Sequence, residues 1–91
     1  MKELERTYKA FANRRRLAIL KLLCRRRECT VSDVAHAIKL SFKATSKHLN
    51  ILANAEILDR EQRSLEMYYR LNSDTNDTVR QLLRPISNSR E

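Results

Sequence analysis

The 91-residue sequence contains no glycine and no tryptophan, and it has only one proline and two cysteines. Without glycine the chain cannot form the Gly-rich loops of the usual nucleotide-binding motifs. Two cysteines, Cys24 and Cys29, are too few for a disulfide scaffold. No apolar run approaches the roughly 20 residues of a membrane span, and no signal peptide opens the chain. These absences predict a cytoplasmic protein with no membrane partner.

Positive charge is the main compositional excess. The net charge is +8, from 19 Lys and Arg against 11 Asp and Glu, and residues 13–27 alone hold seven cations and no acid. We expect residues 1–91 to form a single domain, because the chain is short. A basic cluster on a small domain favours nucleic acid as the partner, and the alternative is a solvated basic face.

The segment 31–55 has the pattern of two short helices joined by a tight turn. Ser32 and Ser41 are good N-caps for these helices, since a serine hydroxyl can accept from a free backbone N–H of the first turn. Thr45, Leu49 and Leu52 form one stripe of the second helix. The opposite face carries Phe42, Lys43, Ser46, Lys47 and Asn50. A polar, cationic face of this kind suits insertion into a DNA major groove, although any solvated amphipathic helix shows a polar face.

Two further helices precede this segment. Residues 3–12 place Leu4, Tyr8 and Phe11 on one face, and Asn13 is expected to end this helix and cap the next. Residues 14–26 are apolar around much of their circumference and are therefore predicted to form the core helix.

The segment after residue 55 predicts a hairpin and a last helix. Residues 57–62 and 66–71 alternate as strands around a tip at residues 63–65, and the helix starts at Ser73 or Asp74 and ends near Arg84, before Pro85. The predicted fold is therefore mainly α with a small β-hairpin (α+β). It is a winged helix-turn-helix with about five helices and a two-stranded wing.

Three stretches, KAFANRRRLAILKLL, ECTVSDVAHAIKLSFKATSKHLNILANAEIL and EMYYRL, occur here in that order. Over roughly residues 9–72 the sequence thereby resembles the winged-helix repressors of the ArsR family. The resemblance implies a homodimer that binds a double-stranded DNA operator and dimerises through its terminal helices, at about residues 3–12 and 74–84. The apolar stripes of those helices are Leu4, Tyr8, Phe11, Val79, Leu82, Leu83 and Ile86.

The sequence departs from the family pattern at three places. Arg14 replaces the proline before the core helix, and Ser64 or a neighbour replaces the wing glycine. Thr30 and Ser32 occupy the positions of the two metal-binding cysteines. The remaining candidate ligands, which have no recognised ligand spacing, are Cys24, Cys29, His36 and His48. A closed thiolate site needs three or four ligands, so we expect no metal, and we expect no cofactor. His48 is instead expected to pack or to form a hydrogen bond within the domain.

The DNA contacts are expected to divide between bases and backbone. The second motif helix and its cap supply Ser41, Phe42, Lys43, Ser46, Lys47 and Asn50. Arg60 and Arg63 of the wing, with Arg14 and Arg15 at the core-helix start, are assigned to the phosphates. These features predict a sequence-specific transcriptional regulator, and the resemblance implies a repressor. An enzyme is not expected, since no catalytic triad, carboxylate pair or cofactor motif is present. The alternatives are a redox-responsive repressor using Cys24 and Cys29, and a winged-helix module that binds protein.

Overall fold

A computed structural model describes residues 2–74 and 77–87 of the chain. Within these ranges the chain forms five helices and three strands. They are α1 (Lys2–Phe11), α2 (Arg14–Arg25), β1 (Cys29–Thr30), α3 (Val31–Ile38), α4 (Phe42–Asn54), β2 (Leu58–Arg63), β3 (Glu66–Leu71) and α5 (Asp77–Ser87). No helix in the described part of the chain is both long and apolar enough to cross a membrane.

The sheet has three strands and not the two that were predicted. β1 pairs antiparallel with β3, matching Cys29 with Tyr69 and Thr30 with Tyr68, and the strand order is β1-β3-β2. β1 was not predicted, because a strand of two residues carries no alternation pattern. The added strand ties the middle of β3, and with it the β2–β3 hairpin that forms the wing, to the start of α3.

The helix caps explain where the motif helices begin. Thr30, and not the predicted Ser32, caps α3: its hydroxyl accepts from the Asp33 backbone N–H at 3.1 Å, while the Asp33 carboxylate accepts from the Thr30 N–H at 3.1 Å. This reciprocal capping box satisfies two otherwise unpaired donors. The Asn13 and Ser41 caps are confirmed, since both side chains accept from backbone N–H groups of the following helix.

Three turns require a left-handed residue in a chain without glycine. Lys39 between α3 and α4, Glu56 after α4, and Ser64 at the wing tip have φ angles of 57°, 62° and 56°. A non-glycine residue in this region costs about 1–2 kcal/mol. The tip is a two-residue connection, Ser64–Leu65, because Arg63 still pairs with Glu66 at the end of the ladder.

The core lies between α2, α3, α4 and the wing base. It consists of Ile19, Leu20, Leu23, Cys29, Val31, Val34, Leu49, Leu52, Ile57, Leu58 and Tyr69. The predicted stripe of α4 is confirmed, because Thr45, Leu49 and Leu52 are all buried. Burial of this stripe fixes which side of α4 faces outward.

The last helix differs from its predicted bounds. α5 continues through Pro85 to Ser87, although the ring removes one backbone donor. Pro85 stands in the last turn, where one missing donor interrupts only a single intrahelical bond. α5 packs along α2, and its half-buried Leu82 and Leu83 contact the core.

Candidate nucleic-acid interface

The exposed face of α4 is centred on two lysines. Successive residues of a helix are about 100° apart, so the side opposite Thr45, Leu49 and Leu52 is the side of Lys43 and Lys47. Both lysine side chains are exposed. No acidic residue occurs in α4, so this face presents positive charge alone.

Phe42, Ser46 and Asn50 lie on the flank of α4 that faces the wing. They line a groove of about 420 Å³, which we call the wing groove, together with Thr30, Val31, Ser32, Leu65, Glu66, Met67 and Tyr69. Two apolar side chains at this groove are exposed, Phe42 by 60% and Leu65 at the wing tip by 96%. Ser41 uses its Oγ to accept from the Ala44 N–H at 3.1 Å, which leaves its hydroxyl proton for a partner outside the domain.

Asn50 joins α4 to the wing. Its Oδ1 accepts from Arg60 NH1 at 2.8 Å and from the hydroxyl of the buried Tyr69 at 3.0 Å. A guanidinium only donates, so the oxygen must face Arg60, and the Asn50 amide NH₂ is the group that can donate elsewhere. Asn50 and Arg60 were predicted as separate DNA contacts, whereas in the structure they form one hydrogen-bonded unit.

Arg63 was predicted to be a free cation at the wing tip, but in the structure it is bound to carboxylates. It is the last residue of β2, and its guanidinium forms two bonds with the Glu28 carboxylate, at 2.6 and 2.8 Å, and a third with Glu61 at 3.1 Å. The guanidinium also lies 4.5 Å from the ring centroid of Tyr68. Hydrogen bonding to Arg63 lowers the pKa of both Glu28 and Glu61, and these carboxylates raise the pKa of Arg63 in turn.

The Arg63–Glu28 pair gives a direct test of a phosphate contact by Arg63. Glu28→Gln removes the carboxylate charge that pairs with the Arg63 guanidinium, so Arg63 becomes available to a phosphate. The variant is expected to bind any DNA more tightly, with a salt dependence that is steeper by about one unit per subunit. Introducing Arg63→Ala into the Glu28→Gln protein should then remove this gain, which a double-mutant cycle measures. Glu56→Gln, which makes the same charge change at an exposed residue after α4 that lines neither the wing groove nor the cleft on the other flank of α4, is the control. Equal effects of the two glutamine variants would show a general charge effect and would contradict the contact.

The arginines at the start of α2 divide into two roles. Arg14 and Arg15 are exposed, as a phosphate-binding role requires. Arg16 is instead a structural residue: its NH1 donates to the Lys9 carbonyl at 2.7 Å and its Nε donates to His48 Nδ1 at 3.3 Å. The prediction that His48 forms a hydrogen bond within the domain is confirmed. Burial lowers the pKa of His48, and the nearby Arg16, Arg15 and Lys47 lower it further.

The residues at the family's thiolate positions do not fit a metal. Thr30 uses its hydroxyl as the α3 cap, and Ser32 is exposed. Cys29 is buried in β1, and burial raises the pKa of its thiol and of the half-buried Cys24 thiol. Among residues 2–74 and 77–87, no three His, Cys, Asp or Glu side chains come together in a way that could hold a metal ion.

The predicted dimer residues are described only in part. Leu4 is half-buried, Tyr8 is 51% exposed, and Leu82 and Leu83 are half-buried against the core. The side chains of Phe11, Val79 and Ile86 lie outside the described residues. Leu17 is a further exposed apolar side chain, although α2 was predicted to be the core helix.

Taken together, a helix-turn-helix, a β-hairpin beside its second helix, and a cationic outer face define a winged helix-turn-helix protein. Residues 13–60 match the family described as bacterial regulatory protein, arsR family. The chain is also 31% identical over 74 residues to the arsenical resistance operon repressor of Bacillus subtilis. These aligned residues make up 81% of this chain and 70% of the relative. The chain therefore belongs to the arsR family of bacterial regulatory proteins.

Solved structures agree with this assignment. One is the homodimeric winged helix-turn-helix DNA-binding domain of a possible ArsR-family transcriptional regulator from Mycobacterium bovis. It is 28% identical, with a TM-score of 0.78 over 93% of this chain and 75% of the other. Another is HlyU from Vibrio cholerae, which is 26% identical, with a TM-score of 0.78 over 93% of this chain and 88% of the other. The winged-helix part of the predicted fold is confirmed by these similarities.

Proposed function

We propose that this chain is a transcriptional repressor that binds a specific double-stranded DNA operator as a homodimer. The observation that carries the proposal is the outer face of α4, where Lys43 and Lys47 are exposed and no acid is present. An α-helix fits a B-DNA major groove, in which lysine can donate to guanine O6 and N7. Ser46 and the Asn50 amide stand beside the lysines as further donors to base edges.

The backbone contacts fall to residues around this helix. The Ser41 hydroxyl proton, Arg14 and Arg15 are free to contact phosphate. Arg60 uses one of its five donors on Asn50, whereas Arg63 would have to exchange its ion pair with Glu28 for the phosphate. Phosphate contacts fix the orientation of a protein on the duplex, and base contacts supply the sequence information. The homodimer is supported by the M. bovis domain, which is homodimeric, and by the exposed Tyr8 on α1.

Selection of DNA sequences from a random pool by the purified protein tests the proposal. Enrichment of a site with twofold symmetry is expected, because a homodimer presents two α4 helices to two half-sites. Recovery of a random pool after several rounds would contradict the proposal. It would favour a winged-helix module that binds protein, for which the exposed Phe42 and Leu65 at the wing groove are the supporting observation.

We expect DNA binding to be independent of metal. Thr30 and Ser32 replace the thiolates of the family's metal site, and the Thr30 hydroxyl is already used as a cap. Operator affinity, measured by fluorescence anisotropy, should be unchanged by a chelator, by zinc or by arsenite. A tenfold loss of affinity with stoichiometric zinc or arsenite would show that a metal site exists and would contradict this expectation.

The cysteines are expected to be structural and not redox-active. A thiolate is the reactive form, and burial raises the pKa of both thiols, which disfavours it. Peroxide should therefore leave operator binding unchanged in the wild type.

Cys29→Ser should lower the stability by roughly 1–3 kcal/mol, because it places a hydroxyl in an apolar site. Cys24→Ser, at a half-buried position, is the matched control. Loss of binding on oxidation that Cys24→Ser or Cys29→Ser prevents would support the redox-responsive repressor instead.

A further inference from the structure

On the flank of α4 away from the wing, the structure contains a second cleft, of about 560 Å³. It is lined by Asn13, Arg14, Arg15, Ala18, Ile38, Lys39 and His48, and we call it the basic cleft. We propose that the basic cleft binds a phosphate-type oxyanion, and that its source is a backbone phosphate of the duplex docked on α4. The assignment of this phosphate to DNA rests on the function proposed above, whereas the assignment of an oxyanion site to the cleft does not.

The charge in the basic cleft is of one sign and is not neutralised. Its lining includes three cations and no carboxylate. Among the residues that the structure describes, Arg14, Arg15 and Lys39 form no ion pair, in contrast to Arg63 and Arg70 in the wing, which share Glu61. A concave site lined by one sign of charge concentrates its field and attracts the opposite charge.

His48 adds a neutral donor of defined orientation. Its Nδ1 accepts from Arg16 Nε at 3.3 Å, so the proton of the neutral ring is on Nε2, which is free to donate to an anion. Arg16 is held in turn by the Lys9 carbonyl at 2.7 Å. The backbone N–H groups of Arg15 and Arg16 already donate to Asn13 Oδ1, so the cleft acts through side chains and not through the N-terminus of α2.

The position of the cleft favours DNA as the source of the phosphate. His48 lies one residue beyond Lys47, about 100° further round α4, on the side opposite Phe42 and Ser46. A helix with side chains is about 10–12 Å wide and the major groove is about 12 Å wide, so both flanks of an inserted helix face phosphate strands. With α4 inserted in the groove, the wing groove would face one strand and the basic cleft would face the other. A free phosphate offers the same chemistry and is the other source to be tested.

The first arm of the test measures the salt dependence of DNA binding for Arg14→Gln and Lys39→Asn. Asparagine tolerates the positive φ at position 39. Each variant is expected to flatten the slope of log K against log salt by about one unit per subunit, on operator and random DNA alike. Arg27→Gln, at an exposed cation near the other end of α2, is the control and should leave the slope unchanged.

His48→Asn keeps an acceptor for Arg16 but lacks the Nε2 donor, so it should weaken binding several-fold at an unchanged slope.

The second arm titrates the free protein with inorganic phosphate at constant ionic strength and follows the NMR signals of Asn13, Lys39 and His48. Effects in the first arm, with or without saturable shifts in the second, support a DNA phosphate as ligand. Saturable shifts that Arg14→Gln removes, without any DNA effect, support a free anion as ligand. If Arg14→Gln and Lys39→Asn match Arg27→Gln and phosphate causes no shift, the site is overturned. A wild type that binds no DNA would refute the proposed function and the DNA source together, and the phosphate titration would then decide whether the anion site exists.

Discussion

Replacing Lys47 with alanine is expected to weaken binding to the selected operator by roughly 1–3 kcal/mol and binding to random DNA much less. Lys47 is exposed at the centre of the outer face of α4, one turn after Lys43, so both side chains point into the groove that α4 would enter. A lysine that donates to guanine O6 and N7 discriminates between bases, whereas a lysine on a phosphate does not.

Two measurements make this prediction specific. Titrations of the operator and of a scrambled duplex at the same salt concentration give the ratio of affinities for each variant. Arg27→Ala removes an exposed cation beyond the C-terminal end of α2 and should leave the ratio unchanged. An unchanged ratio for Lys47→Ala as well would mean that α4 does not present this residue to the bases, and the assignment of the groove would be wrong.

The elements that the sequence predicted well are those with a local physical signal. The stripe of Thr45, Leu49 and Leu52 repeats at helical spacing, so it identified both the helix and its buried side. Asn13 and Ser41 precede helical patterns and have side chains that accept from the first turn. β3 was predicted at its observed bounds because one of its two tyrosines, Tyr69, alternates into the core.

The elements that the sequence did not predict depend on partners distant along the chain. Thr30 was overlooked as the α3 cap because Ser32 has the same capping chemistry, and pairing of β1 with β3 is what places Thr30 at the helix start. Arg63 and Glu28 are 35 residues apart, so no local pattern connects them. For the same reason the cations of the wing looked free in the sequence, whereas the structure holds them against carboxylates and an amide.

Because the chain has no glycine, its sequence gives no local signal for the turns. A glycine normally marks the residue that must adopt a positive φ, and here Lys39, Glu56 and Ser64 adopt it instead. One of these, Lys39, also lines the basic cleft. A side chain at this position, which a glycine would not have, places a cation beside the turn of the motif.

The largest loss of operator affinity is expected from Tyr8→Asp, which should convert the protein into monomers. Tyr8 is 51% exposed on α1, which is expected to form part of a self-complementary interface, and a carboxylate there would be buried against an apolar surface. Tyr8 is a better site for this test than Leu82 or Leu83, because those side chains also pack on the core of their own subunit.

Loss of the dimer should weaken operator binding by roughly 10²–10⁴-fold, because the second half-site would no longer be bound by a linked module. Sedimentation velocity at micromolar concentration measures the state of each variant, and thermal unfolding checks that the subunit itself remains folded. Leu65→Asp, at the 96% exposed tip of the wing, introduces the same charge on another exposed apolar residue and should remain dimeric. A wild type that sediments as a monomer would refute the dimer, and a Tyr8→Asp protein that remains dimeric would place the interface away from this face of α1.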